Sequence, residues 1–80
     1  MKPVTHANQI GATLAARRKE LALSQTEVAG RLGLSQNRLS ELESRPETMT
    51  TEQLLALLNV LGLEMSIAQR APSPANKAEW

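Results

Sequence analysis

The 80-residue chain has no cysteine, no phenylalanine and no tyrosine, and it holds a single histidine and a single tryptophan. Without cysteine there is neither a disulfide framework nor thiolate chemistry, and one histidine cannot build a metal cluster. The fold must stand on apolar packing. Leucine and alanine dominate and β-branched residues are few, which favours a helical domain with a small aliphatic core over an all-β one. Long apolar runs are missing too. The longest is Leu54 to Leu58, far short of the ~20 residues of a membrane span, and the start MKPVTHANQI carries no apolar signal segment. A cytoplasmic protein without membrane contact is expected. No nucleophile, base and oxyanion set can be assembled from one histidine, no cysteine and carboxylates expected on solvent faces, so neither catalysis nor a cofactor or metal is expected.

At this length the chain is one domain that buries a low fraction of its surface, which makes its stability marginal, and dimerisation is an obvious source of help. Net charge is only +1, but it is unevenly spread. Residues 1–45 hold seven basic side chains (Lys2, Arg17, Arg18, Lys19, Arg31, Arg38, Arg45) against four acidic ones (Glu20, Glu27, Glu41, Glu43), and the remainder is net acidic. The first half is therefore the one suited to a polyanion.

Helical punctuation is dense. A first helix is expected from near Thr5 or His6 to Glu20 or Leu21, with Ile10, Leu14 and Leu21 as its apolar stripe. Ser24 with Glu27 forms a capping box that starts a second helix at about Gln25 to Leu32. Ser35 is placed to cap a third, about Gln36 to Ser44, which Pro46 stops soon after. Thr50 with Gln53 repeats the capping box, and TEQLLALLNVLG supplies a fourth helix with Leu54, Leu57, Leu58 and Leu61 inward and Gly62 as terminator.

Within this series, Gln25 to Ser44 (QTEVAGRLGLSQNRLSELES) has the spacing of a helix-turn-helix, two helices crossing at roughly 90–120° through a tight turn. Val28, Ala29 and Leu32 form one apolar face, Ala29 being small where the second helix approaches. Gly33 supplies the positive φ that ends the first helix, and Leu34, Leu39 and Leu42 line the inner side of the second. Ser35, Gln36, Asn37, Arg38, Ser40 and Glu41 are left outward.

After the fourth helix, LEMSIA (residues 63–68) alternates Leu63, Met65 and Ile67 with Glu64, Ser66 and Ala68, the period of a half-buried strand. A lone strand cannot satisfy its own backbone. With no other strand in the chain, pairing with the same segment of a second subunit is the simplest remedy, and it would bury Met65 and Ile67. The last residues, with two prolines and no apolar periodicity, are expected to be a flexible tail from 69 to 80. An aromatic ring at Trp80 adds nothing to the fold unless it docks.

Over residues 8–62 the motif resembles the Cro/repressor helix-turn-helix (XRE) family. LEMSIA, followed by a Pro-containing tail with Glu79 and Trp80, resembles HipB-type antitoxins, the repressor partners of HipA-type serine/threonine kinase toxins. The resemblance implies an all-α domain of four to five helices, residues 1–62, with a short C-terminal β-strand at 63–68 that pairs across a homodimer. It also implies binding to palindromic operator DNA upstream of its own operon, cytoplasmic and nucleoid-associated, and a complex with the kinase toxin. Trp80 corresponds to a tryptophan of the family's tail, which is involved in degradation by proteases, so it is assigned to partner or protease recognition. A stand-alone regulator without a toxin would share the motif; only the strand and tail separate the two.

In such a motif the N-terminal part of the second helix enters the major groove while the first lies across the backbone. The expected base readers are Ser35, Gln36, Asn37, Arg38 and Ser40, with Arg38 the strongest. A guanidinium can take guanine O6 and N7, and Gln36 or Asn37 can take adenine N6 and N7, each good pair discriminating by ~1–3 kcal/mol. Gln25 is placed to contact phosphate, and Arg17, Arg18 or Lys19 can add charge contacts nearby. Glu41 and Glu43 are expected to stay clear of DNA and pair with basic neighbours. Leu63, Met65 and Ile67 are the expected dimer contacts.

Overall fold

The computed structural model describes residues 3–70. Four α-helices follow in order: α1, Ala7–Glu20; α2, Gln25–Leu32; α3, Gln36–Ser44; and α4, Thr51–Val60, with a 3₁₀ turn at Pro46–Thr48 before the last. The helix starts follow the capping chemistry of the sequence. Ser24 and Thr50 each accept from the backbone N–H three residues on, while Glu27 and Gln53 reach back to the capping residue's N–H. Ser35 caps α3 alone, its hydroxyl accepting from Arg38 N at 3.1 Å. In front of α1, Gln9 Oε1 accepts from the backbone N–H groups of Thr5 and His6 at 2.6 and 2.9 Å. The Glu27 carboxylate is held below its ordinary pKa by the backbone N–H of Ser24 and then by its hydroxyl, a hydrogen-bonding preference for the charged form.

Three helices end in the same way. Leu23 N donates to Arg18 O, Leu34 N to Ala29 O and Leu63 N to Leu58 O, at 2.8–3.0 Å, and in each case the residue before the leucine donates three residues back. These are Schellman closures, and each delivers a leucine onto the core. The left-handed residue is Gly33 (φ 70°) and Gly62 (φ 68°) in two of them, but Ala22 (φ 58°) in the first. A Cβ in that conformation costs roughly 1–2 kcal/mol, offset in part by the greater unfolded-state freedom of glycine. Ala22→Gly is therefore expected to stabilise the domain by up to ~1 kcal/mol, read as a thermal midpoint higher by a few degrees. A lower midpoint would mean the turn is not strained.

The core is Leu14 from α1, Val28 and Ala29 from α2, Leu39 and Leu42 from α3, and Leu57 and Leu61 from α4 and its end. In the packing, α1 and α2 both lie against α3, α4 closes on α2, and the 3₁₀ turn fills the corner between α1 and α3. One residue of the expected α1 stripe is misplaced: Leu21 is exposed, because it is the C-cap and the chain is already turning away there. Residues 63–70 form no strand among the described residues. Leu63 packs on the core, whereas Met65 is half exposed and Ile67 is 92% exposed. The alternating pattern thus lacks a backbone partner within the single chain. Among the described residues no helix is long and apolar enough to cross a membrane.

Candidate nucleic-acid interface

Leu39 and Leu42 fix the rotation of α3 by burying completely. At 3.6 residues per turn, the direction opposite them falls between Asn37 and Ser44, with Ser40 on one side of that line and Glu41 on the other. Asn37 and Ser44 are exposed, and Ser40 and Glu41 are partly so. Gln36 and Arg38 stand on opposite flanks. Gln36 leans to α2, where its Nε2 donates to Gln25 Oε1 at 2.6 Å. Arg38 leans to the 3₁₀ turn, where Nη2 donates to Thr48 O at 3.3 Å and Nη1 pairs with Glu41.

The Gln36 flank is tied through the domain to α1. Gln25 Nε2 donates to Glu43 Oε1 at 3.0 Å, and Glu43 in turn receives Arg18 Nε at 2.7 Å and Nη2 at 3.1 Å. The remaining nitrogen of the fork, Arg18 Nη1, donates to Leu23 O at 3.0 Å. Both side chains of the Arg18–Glu43 pair are about nine-tenths buried, at 10% and 9% exposure. The geometry is the bidentate fork that makes arginine–carboxylate pairs strong, and no buried side-chain polar atom among the described residues lacks a partner. The result is a continuous polar chain from α1 through α3 and α2 to the exposed start of α3. A side chain held this way loses little rotamer freedom on binding.

The residues singled out in the sequence separate into groups. Ser35, Gln36, Asn37, Ser40 and Gln25 come together around the start of α3. Arg18, expected among the phosphate contacts, is buried and committed to Glu43, because α1 and α3 cross where its side chain lies. Glu43 is correspondingly not on a solvent face. Arg17 is engaged at the other end of the fold, donating Nε to Leu61 O at 2.9 Å and Nη1 to Glu20 at 2.5 Å, so it caps the end of α4. Lys19, Arg31 and Arg45 are exposed and make no ion pair among the described residues. Trp80 lies outside the described residues. Glu41, read from the sequence as outward, is partly exposed on that face, and Ser44, which the sequence pattern did not single out, is exposed beside it. No three His, Cys, Asp or Glu side chains converge among the described residues to hold a metal.

A pair of short helices crossed through a Gly33 turn, the second presenting a polar row of amides and hydroxyls, defines a DNA-binding helix-turn-helix unit. The helix-turn-helix domain family model matches residues 9–71, and the chain belongs to that family. No curated protein resembles the chain closely enough to count as a match.

Proposed function

We propose that the chain is a dimeric, sequence-specific transcriptional repressor that autoregulates its operon and serves as the antitoxin of a HipA-type serine/threonine kinase. The observation carrying the DNA-reading part is the state of Gln36. It spends one amide hydrogen on Gln25 and keeps the other together with its carbonyl oxygen, the donor and acceptor that adenine N7 and N6 require. Asn37, with no side-chain partner among the described residues, and Ser40 extend the reading row. Ser35, expected as a base reader, spends its hydroxyl on capping α3 and is assigned with Gln25 and Lys19 to backbone contacts, since phosphate contacts set register and affinity rather than sequence. Arg17 and Arg18 are left out of that set because their guanidinium groups are already occupied.

Dimerisation is supported by the exposed Met65 and Ile67 on a segment with an unpaired backbone, which a second copy can cover as an antiparallel or parallel strand. Replacing both with aspartate is expected to give monomers of unchanged helix content in light scattering. A dimer surviving that change would place the interface elsewhere. The antitoxin part is supported by the resemblance of residues 63–68 and of the Pro-containing segment with Glu79 and Trp80. A stand-alone regulator would carry the same DNA-reading row.

Purification of the tagged full-length chain from its native host, beside a version ending at Arg70, tests the assignment. A HipA-type kinase retained in near-equal amount by the full chain is the expected result, and its loss from the short version would give Trp80 and its neighbours the partner contact. Retention of operator DNA with no kinase would refute the antitoxin role and leave a plain repressor in the cytoplasm.

A further inference from the structure

The flank of α3 that is not tied to α2 is held by a different device, the Arg38–Glu41 pair. Resting on the reading of α3 as the DNA-reading helix, we propose that Glu41 is a specificity-determining residue. It takes the amino group of a cytosine and, through its ion pair, holds Arg38 away from sequence-independent contact with phosphate.

Glu41 follows Asn37 by one helical turn on the outward side of α3, and its side chain is 44% exposed. A carboxylate facing a polyanion is unfavourable unless its charge is neutralised on the spot. Arg38 does this, through Nη1 to Glu41 Oε1. An exposed pair three residues apart is weak, worth too little to compete with a phosphate by itself. Here a second tether is present, because Arg38 Nη2 also donates to Thr48 O at 3.3 Å, fastening the guanidinium between α3 and the turn that follows it. Arg38, the one cation of α3, is thereby restrained in the free protein.

The chemistry of the other carboxylate oxygen then selects a base. Oε2 of Glu41 has no hydrogen-bond partner among the described residues, and an ionised carboxylate can only accept. In the major groove guanine offers N7 and O6 and thymine offers O4, all acceptors, so both are disfavoured. Adenine offers its N6 amino group beside the N7 acceptor. Cytosine offers the N4 amino group alone, and it is the base that a carboxylate takes best. Glu41 thus adds cytosine preference at one position and at the same time reduces the affinity for every other sequence.

The test compares the parent with Glu41→Ala, Arg38→Ala, the double variant and Glu41→Gln. Each is titrated with a duplex carrying the selected site and with a random duplex over a range of salt. Glu41→Ala is expected to steepen the log–log salt slope by about 0.9 for each Arg38 released to a phosphate. It should also narrow the ratio of selected to random affinity by at least about fivefold, with the loss falling at one cytosine. In the double variant the slope should return to the parent value, and Arg38→Ala alone should leave it unchanged. Glu41→Gln should move the preference at that position from cytosine to adenine, a switch that mere loss of folding cannot produce. An unchanged slope and ratio in Glu41→Ala, or a slope made shallower by Arg38→Ala alone, would overturn the proposal. A parent protein that does not distinguish the two duplexes would instead overturn the reading of α3 itself.

Discussion

Gly11→Ala is expected to destabilise the domain by about 3 kcal/mol or more, a large part of the roughly 4–12 kcal/mol available to a chain of this length. Helix propensity alone gives the opposite sign, since alanine in a helix interior is favoured over glycine by up to ~1 kcal/mol. The reversal comes from the crossing of α1 and α3. A Cβ on Gly11 would stand 2.2 Å from Glu43 O and 3.1 Å from Pro46 Cγ. The first is backbone and cannot rotate aside, so α1 would have to lift from α3 and loosen Leu14, Leu39 and Leu42 together. Gly30 supplies the control: on α2 nothing lies within 4 Å of its added Cβ. Gly30→Ala is therefore expected to stabilise by about 0.5–1 kcal/mol. Urea unfolding of the two variants reads the contrast; equal effects would mean that the α1–α3 contact is looser than described.

The second large effect is expected from Glu43→Ala. It leaves the Arg18 guanidinium buried with only the Leu23 carbonyl as partner, a loss of about 3–5 kcal/mol when one member of a buried pair is removed. Replacing both residues with apolar ones, Arg18→Met with Glu43→Leu, should recover much of that, because no unpaired charge then remains. In function the two variants share a defect. Even the stable double variant lacks the Glu43 carboxylate that receives Gln25, so Gln25 and through it Gln36 are less restrained. Recovered stability with weakened preference at the base proposed for Gln36 is the expected combination. Full recovery of both would show that the polar chain has no part in recognition.

Much of this fold can be read directly from the sequence, and the reasons are local. Ser24, Ser35 and Thr50 announce helix starts because each satisfies amides within three residues of itself. Gly33 and Gly62 announce helix ends because a left-handed φ favours glycine. Ala22 performs the same closure without any such mark, since alanine in that conformation is a cost tolerated by the fold rather than a signal. The polar chain was hidden for a different reason. Arg18 and Glu43 are 25 residues apart in sequence, and only the crossing of α1 on α3 shows that their charges meet. The same holds for Arg38: its identity suggests a base reader, while its tether to Thr48 depends on where the 3₁₀ turn lies. Residues 63–68 remain the segment whose pattern asks for a partner that a single chain cannot supply.

The central claim, that the exposed row from Gln36 to Ser40 reads the major groove, is tested most directly by selecting duplexes from a random pool. The affinity of the best one is then measured against a scrambled duplex at several salt concentrations. The expected result is a preference of at least about a thousandfold at physiological salt, with a log–log slope of several units for the phosphate contacts. Equal affinity for both duplexes, or a response flat in salt, would contradict it.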